Sequence, residues 1–119
     1  MLDAGVDGTL NSLVEDSQGV SRTNVYYDAI SDQEMNQNVD GYGYGTHISS
    51  VAVSSAQTPE GNYNGIAPDA EWVVVRGFDD EGHGTYLDVI RGLDWIVAHK
   101  DEHNIRVLNL SFSAPPWSY

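Results

Sequence analysis

The sequence predicts an α/β domain built on a parallel sheet, and three features lead there. Glu71–Phe78 (Glu-Trp-Val-Val-Val-Arg-Gly-Phe) has a continuous apolar centre, the pattern of a strand covered on both faces. Val89, Ile90, Leu93, Ile96 and Val97 recur at spacings of three and four, which makes one apolar helix face. Arg106–Phe112 is a second apolar run that reads as a strand. Strand, long helix, strand is a βαβ crossover, right-handed by default.

Along the chain, residues 8–45 are polar and rich in Gly, Asn, Asp and Ser, with an apolar island at Val25, Tyr26 and Tyr27. This predicts loops around one strand of about five residues. Thr46–Ala56 is small and apolar without Gly or Pro. Its β-branched residues suit a strand and its small residues suit a helix packed closely on a sheet, and periodicity alone leaves both open. Gly61–Pro68 is a turn region, and 79–84 is a loop. Thr85 supplies an N-cap with Asp88 three places on, and Asn104 ends the helix that follows. The final Ala-Pro-Pro-Trp-Ser-Tyr cannot continue a strand.

Composition excludes several functions. The chain has 119 residues, one domain's worth, and 40% are hydrophobic, enough for a core. Eighteen acidic residues stand against five basic ones, a net charge of −13. A nucleic-acid binder needs Lys and Arg to displace counterions, and an anionic membrane surface attracts the same residues, so neither partner is expected. With no cysteine there is no disulfide, thiolate metal site or cysteine nucleophile. No apolar run approaches the roughly 20 residues of a membrane span. Met-Leu-Asp-Ala-Gly carries no basic or apolar leader.

Four places invite chemistry. Gly41-Tyr-Gly-Tyr-Gly45 hints at a dinucleotide loop, but its spacing misses Gly-x-Gly-x-x-Gly and it follows no strand. A turn before a helix is the simpler reading. His99-Lys-Asp-Glu-His103 spells His-x-x-Glu-His, a zinc-peptidase arrangement with two imidazoles one helical turn apart. A metal-dependent hydrolase on His99, Glu102 and His103 needs a third ligand, and no Asp or Glu follows Glu102. A solvated last turn, with His and Lys at the negative end of the helix dipole, explains the same residues. Asp40, His47 and His83 lie near turns with no spacing that demands a cluster. Asp3 sits at a strand end before Ala-Gly, where open parallel sheets place functional groups, and the Gly43–Ser50 segment brings a second polar pair, Thr46 and His47. An Asp–His pair for nucleophilic catalysis is the reading these suggest.

Together the pieces resemble the subtilisin-like serine peptidases, the subtilases. Met1–Asp7 resembles the family's Asp-Thr-Gly strand end, which makes Asp3 the counterpart of the triad aspartate. Asp40–Ser50 resembles Gly-His-Gly-Thr-His-Val-Ala-Gly, Gly65-Ile-Ala-Pro68 resembles Gly-Val-Ala-Pro, and Val107-Leu-Asn-Leu-Ser111 resembles Val-Ile-Asn-Met-Ser. The resemblance implies a three-layer α/β fold, a helix over Thr46 to Ser55, and secreted endopeptidases acting on peptides or proteins. Residues 1–119 then read as the N-terminal part of one such domain, short at both ends.

The departures shape the expected activity. Tyr44 stands where the family's catalytic histidine is expected, and His47 matches the second histidine of the motif. A phenol of pKa about 10 cannot shuttle protons as an imidazole does. The Gly-Thr-Ser nucleophile segment and the oxyanion-hole asparagine belong further along than Tyr119, so this chain is expected to be inactive by itself. Ser111, Phe112, Ser113 and Ala114 fall on the family's substrate-pairing edge, with side chains at 113 and 114 where glycines are usual. The stretch Ser54–Asn64 does not resemble the family's calcium loop, so no metal or other cofactor is expected. A non-catalytic peptide-binding or self-associating module is the rival reading. Strand 106–112 has an apolar set (Val107, Leu108, Leu110, Phe112) and an open edge, which suits pairing with a second copy.

Overall fold

The computed structural model describes residues 1–36 and 39–114. Along the chain run β1 (Leu2–Asp3), α1 (Asn11–Val14), β2 (Thr23–Asp28), β3 (Gln33–Met35), α2 (Tyr44–Val53), β4 (Trp72–Arg76) and α3 (Tyr86–His99). The sheet order is β1-β4-β2-β3. β4 pairs in parallel with both β1 and β2, with Leu2 opposite Val75 and Tyr27 also opposite Val75 from the other side. Only β3, joined to β2 by a tight connection, runs antiparallel.

β4 is buried on both faces, as its unbroken apolar run requires. Successive side chains point to opposite faces. Val73 and Val75 pack with Leu2, Tyr27, Ala29, Trp95 and Ile96 under α3. Trp72 and Val74 pack with Val6 and Leu13 on the side of α1 and α2. Each fully buried aliphatic side chain contributes roughly 1.5–3 kcal/mol, so β4 anchors both cores. The result is three layers: α3, the sheet, and α1 with α2.

Of the stretch Thr46–Ala56, open between strand and helix on its residues alone, residues 46–53 belong to the helix α2, which begins at Tyr44 and ends at Val53, and 54–56 follow it. α3 starts as its residues predict: the Thr85 side chain accepts from the Asp88 N–H at 3.1 Å, and the Asp88 carboxylate accepts from the Thr85 N–H at 3.1 Å. The helix ends at His99, and turns fill the stretch to Asn104.

Three expectations need correction. Of the expected face of α3, Ile96 is buried and Leu93 packs against the core, but Gly92 and Trp95 join them there while Ile90 and Val97 are 53% and 66% exposed. Gly92 explains the rotation: a Cβ there would lie 2.9 Å from Leu2 Cδ1 and 3.1 Å from Val75 Cγ1, so the helix makes its closest approach at this residue and turns Ile90 and Val97 outward. The stretch 8–45 holds more than one strand and loops, since the strand β3 and the short helix α1 also lie there; β3 is exposed throughout and so has no apolar signature. Finally, Arg106–Phe112 runs alongside β1 but pairs with it through a single parallel bridge, Leu2 with Leu110, rather than as a full strand. β1 is two residues long, so there is little ladder to pair with, and Val107 is left 84% exposed. The proline-containing end lies outside the described residues apart from Ala114.

Candidate functional site

Parallel strands end together, and β1, β2 and β4 bring Asp3, Asp28 and Arg76 to the same margin of the sheet. Asp3 is 4% exposed. Its Oδ1 accepts from the Ala4 N–H at 2.8 Å, and its backbone carbonyl accepts from Gly77 N–H at 2.8 Å. Its Oδ2 is buried with no hydrogen-bond partner among the described residues. Burial pushes the carboxyl above the usual aspartate range; the Ala4 N–H opposes that shift and the charge of Asp40 adds to it. Arg76 does not neutralise Asp3. Its guanidinium donates to the Ala4 carbonyl, Asp28 Oδ2 at 3.4 Å and Asp80 Oδ1 at 3.1 Å.

The start of α2 is fitted against this strand end. Asp40 does the capping: its Oδ1 accepts from the N–H groups of Tyr42 and Gly43, and its Oδ2 from Thr46 N–H at 2.8 Å. Gly43 holds φ 87°, which a glycine adopts without strain. Thr46 Oγ1 accepts from the Asp7 N–H at 2.9 Å, tying the helix to the loop after β1. Gly45 is pressed against that loop so closely that a Cβ would sit 2.0 Å from the Gly5 carbonyl oxygen and 3.2 Å from Asp3 Oδ1. These contacts set Tyr44 beside Asp3 at one cleft.

That cleft, about 230 Å³, is lined by Asp3, Tyr42, Tyr44 and Phe78 together with residues 111–113. The rings fall into two pairs: Tyr42 with Tyr44 at 6.4 Å and Phe78 with Phe112 at 4.9 Å between centroids. The structure therefore brings together Asp3, Tyr44, Ser111, Phe112 and Ser113, and leaves exposed Ala114 outside the lining. The Ser111 hydroxyl donates to Asn109 Oδ1 at 2.7 Å. Ala4, Tyr42, Phe78 and Gly82 are the lining residues that sequence reasoning missed, and the two rings matter most. Tyr42 lay within the glycine-rich turn, and Phe78 read as the end of a buried strand; only the packing of loop 79–84 on the Gly41–Tyr44 turn turns them to one space.

The other candidates disperse. Asp40 is committed to capping, and His47 and His83 are exposed. His99 and His103 do come together, but as a stack: Trp95 lies 4.2 Å from His99 and 5.9 Å from His103 between centroids, and His99 Nδ1 engages the Trp95 carbonyl at 2.8 Å. Glu102 is exposed, and among the described residues no three His, Asp or Glu side chains are grouped to hold a metal. A wider groove of about 610 Å³ lies by Met1, Trp72 and Val73 and reaches Val107 and Leu108, away from Asp3.

The chain is thus an α/β sandwich with a buried aspartate at a parallel-strand end and a capped helix fitted beside it. A sequence model of the Subtilase family matches residues 1–118, and the chain belongs to that family. It is 31% identical over 109 residues to Bacillopeptidase F of Bacillus subtilis (strain 168), a match that takes in 84% of this chain and 7% of that protein. Among solved structures, the CspB protease of Clostridium perfringens superposes with a TM-score of 0.72 at 22% identity over 87% of this chain and 25% of that one. A cold-adapted subtilisin-like serine proteinase superposes at 0.62 with 26% identity, over 82% of this chain and 30% of that one. The chain thus spans a small part of the length of the relatives it matches.

Proposed function

We propose that these 119 residues form the N-terminal part of a subtilisin-like serine endopeptidase domain, one that presents a peptide-binding cleft but does not hydrolyse peptides by itself. Asp3 takes the triad-aspartate position and Tyr44 the histidine position, and Ser111–Ala114 is the edge that meets an extended substrate. The observation that carries this reading is Tyr44 at the start of α2, lining the same cleft as a buried Asp3 whose Oδ2 has no hydrogen-bond partner among the described residues. In a working triad the aspartate orients an imidazole, and a neutral phenol offers no equivalent base at neutral pH. An extracellular location, which the family resemblance implies, fits the −13 charge, since such a surface suits an extracellular or saline setting.

The test is hydrolysis of casein and of a nitrophenyl ester by the purified chain, with fluorophosphonate labelling alongside. Background rates and no labelling are expected. Saturable turnover that survives purification and disappears in Asp3→Asn would overturn the inactive reading. A second reading, pairing of two copies through 106–112, is favoured by the single bridge at Leu110 and the exposure of Val107.

A further inference from the structure

We propose that the groove of about 610 Å³ beside Met1 is a strand-acceptor site, which takes a short, extended, apolar stretch of a partner polypeptide and pairs it parallel to β4. The hydrogen bonds around β1 carry the proposal. Met1 N donates to the Val73 carbonyl at 3.0 Å, and the Val75 and Gly77 N–H groups donate to the carbonyls of Met1 and Asp3, each at 2.8 Å. On its other edge, Leu2 N–H donates to the Asn109 carbonyl at 3.2 Å, and Leu2 bridges Leu110 in parallel. β1 is therefore a central strand of only two residues. In a parallel pair, every second residue turns its N–H and carbonyl to the same neighbour. One repeat back from Val75, the Val73 N–H and Glu71 carbonyl face the line of β1. One repeat back from Asn109 and Ser111, the same spacing offers the Val107 carbonyl and Asn109 N–H. The groove lies along that line, with 69–73 on one wall and 103–108 on the other.

The lining sets the chemistry of the occupant. Trp72, Val73, Val75, Ile96, Ile105 and Leu108 border the groove, so a strand between the walls meets apolar surface on both faces. Such a position suits consecutive apolar, β-branched residues, as in β4 itself. A wall of five residues takes about four or five residues of strand at roughly 3.3 Å each. The parallel direction puts the occupant's amino end by Asp69 and Glu71 and its carboxyl end by Met1. A lysine at the amino end matches those carboxylates, and the chain's net charge of −13 disfavours an acidic partner. Main-chain pairing supplies affinity and the apolar walls supply selectivity, the logic of strand addition. The groove sits at the opposite end of β4 from Asp3, so the proposal does not rest on the peptide cleft there.

The experiment titrates the 119-residue chain with acetyl-Lys-Val-Ile-Val-amide and with acetyl-Lys-Val-Pro-Val-amide, following backbone amide shifts by NMR. Expected is saturable binding of the first peptide that moves the amides of Val73, Val107 and Asn109 and leaves Tyr44 and Phe112 in place. The proline peptide lacks one N–H and should bind about tenfold more weakly. Leu108, 37% exposed, lies on the apolar wall, and Leu108→Asp should weaken the first peptide about tenfold. A nitroxide on the peptide's lysine should broaden the amides of Ala70 and Glu71 more than those of Gly77 and Phe78. Equal binding of the two peptides, an affinity unchanged in Leu108→Asp, or stronger broadening at Gly77 overturns parallel strand addition. Movement of Tyr44 and Phe112 alone puts the peptide in the Asp3 cleft and overturns the acceptor site while supporting that cleft. No response to either peptide also overturns it, and a second copy is then the occupant if Val73 and Val107 move on concentrating the chain by itself.

Discussion

Asp3 and Tyr44 carry the argument at the scale of the residue. If Tyr44 alone blocked catalysis, Tyr44→His would restore it. We expect no gain, because triad members act as a unit and a lone imidazole has no activated nucleophile to serve. Ser111, close by, already donates its hydroxyl to Asn109. Ester hydrolysis measured on Tyr44→His decides the matter, and a rate above background would make Ser111 or Ser113 a nucleophile. Asp3 also predicts a pH dependence. Its folded pKa is raised, by burial first, above an unfolded value of about 3.9. The folded state then binds more protons than the unfolded one, so stability is full below the unfolded value and is lost as pH rises through the folded value. Asp3→Asn should raise the melting temperature at pH 7, with the gain shrinking towards pH 3. A constant difference across that range would contradict the assignment.

At the scale of the element, α2 matters most because it presents Tyr44, and its far end is held by Arg22. This guanidinium is 2% exposed and donates to four backbone carbonyls: Leu13, Ser12, Val53 and Pro68. Three of these oxygens lie on α1 or α2, so one side chain ties the two helices to the turn before β4. Burial lowers the Arg22 pKa, partly offset by Asp16 and Asp69. Truncation would leave buried carbonyls unpaired as well as a cavity. Arg22→Ala should therefore lose about 3 kcal/mol of unfolding free energy. Urea denaturation reads this as a lower midpoint at unchanged slope. A loss below about 1 kcal/mol would mean water replaces the guanidinium.

For the whole molecule, the open margin beyond β1 and the net charge of −13 act against one another. Val107, Leu108, Leu110 and Phe112 are all exposed along that margin, and each gains roughly 1.5–3 kcal/mol on full burial. Charge repulsion between copies opposes pairing at low salt. The Debye length falls from about 10 Å at 0.1 M to about 3 Å at 1 M, which removes the repulsion and leaves the apolar contact intact. Association should therefore rise with sodium chloride in sedimentation velocity and fall in Leu110→Lys. A strict monomer at high protein concentration in 1 M salt rules this pairing out.

Much of this protein was legible in its residues. The doubly covered strand β4 followed from an unbroken apolar run, the start of α3 from Thr85 and Asp88, and the family from motifs at Asp3, Tyr44–Ser50 and Val107–Ser111 in order. These signals are local: each rests on neighbours within a few positions, where spacing and chemistry speak directly. Other features depend on segments far apart in the chain. Gly92 turned the α3 face because Leu2 and Val75 meet it there. Arg76 paired with Asp28 and Asp80 rather than Asp3, and Arg22 joined four carbonyls from three segments. The aromatic lining of the cleft formed only because loop 79–84 folded onto the turn before α2 and residues 111–113 came alongside. A periodicity names the apolar face of a helix, but the closest approach decides which part of it is buried. Burial and partnership are properties of the packed whole, so the unpaired Oδ2 of Asp3 was decided by the tertiary structure alone.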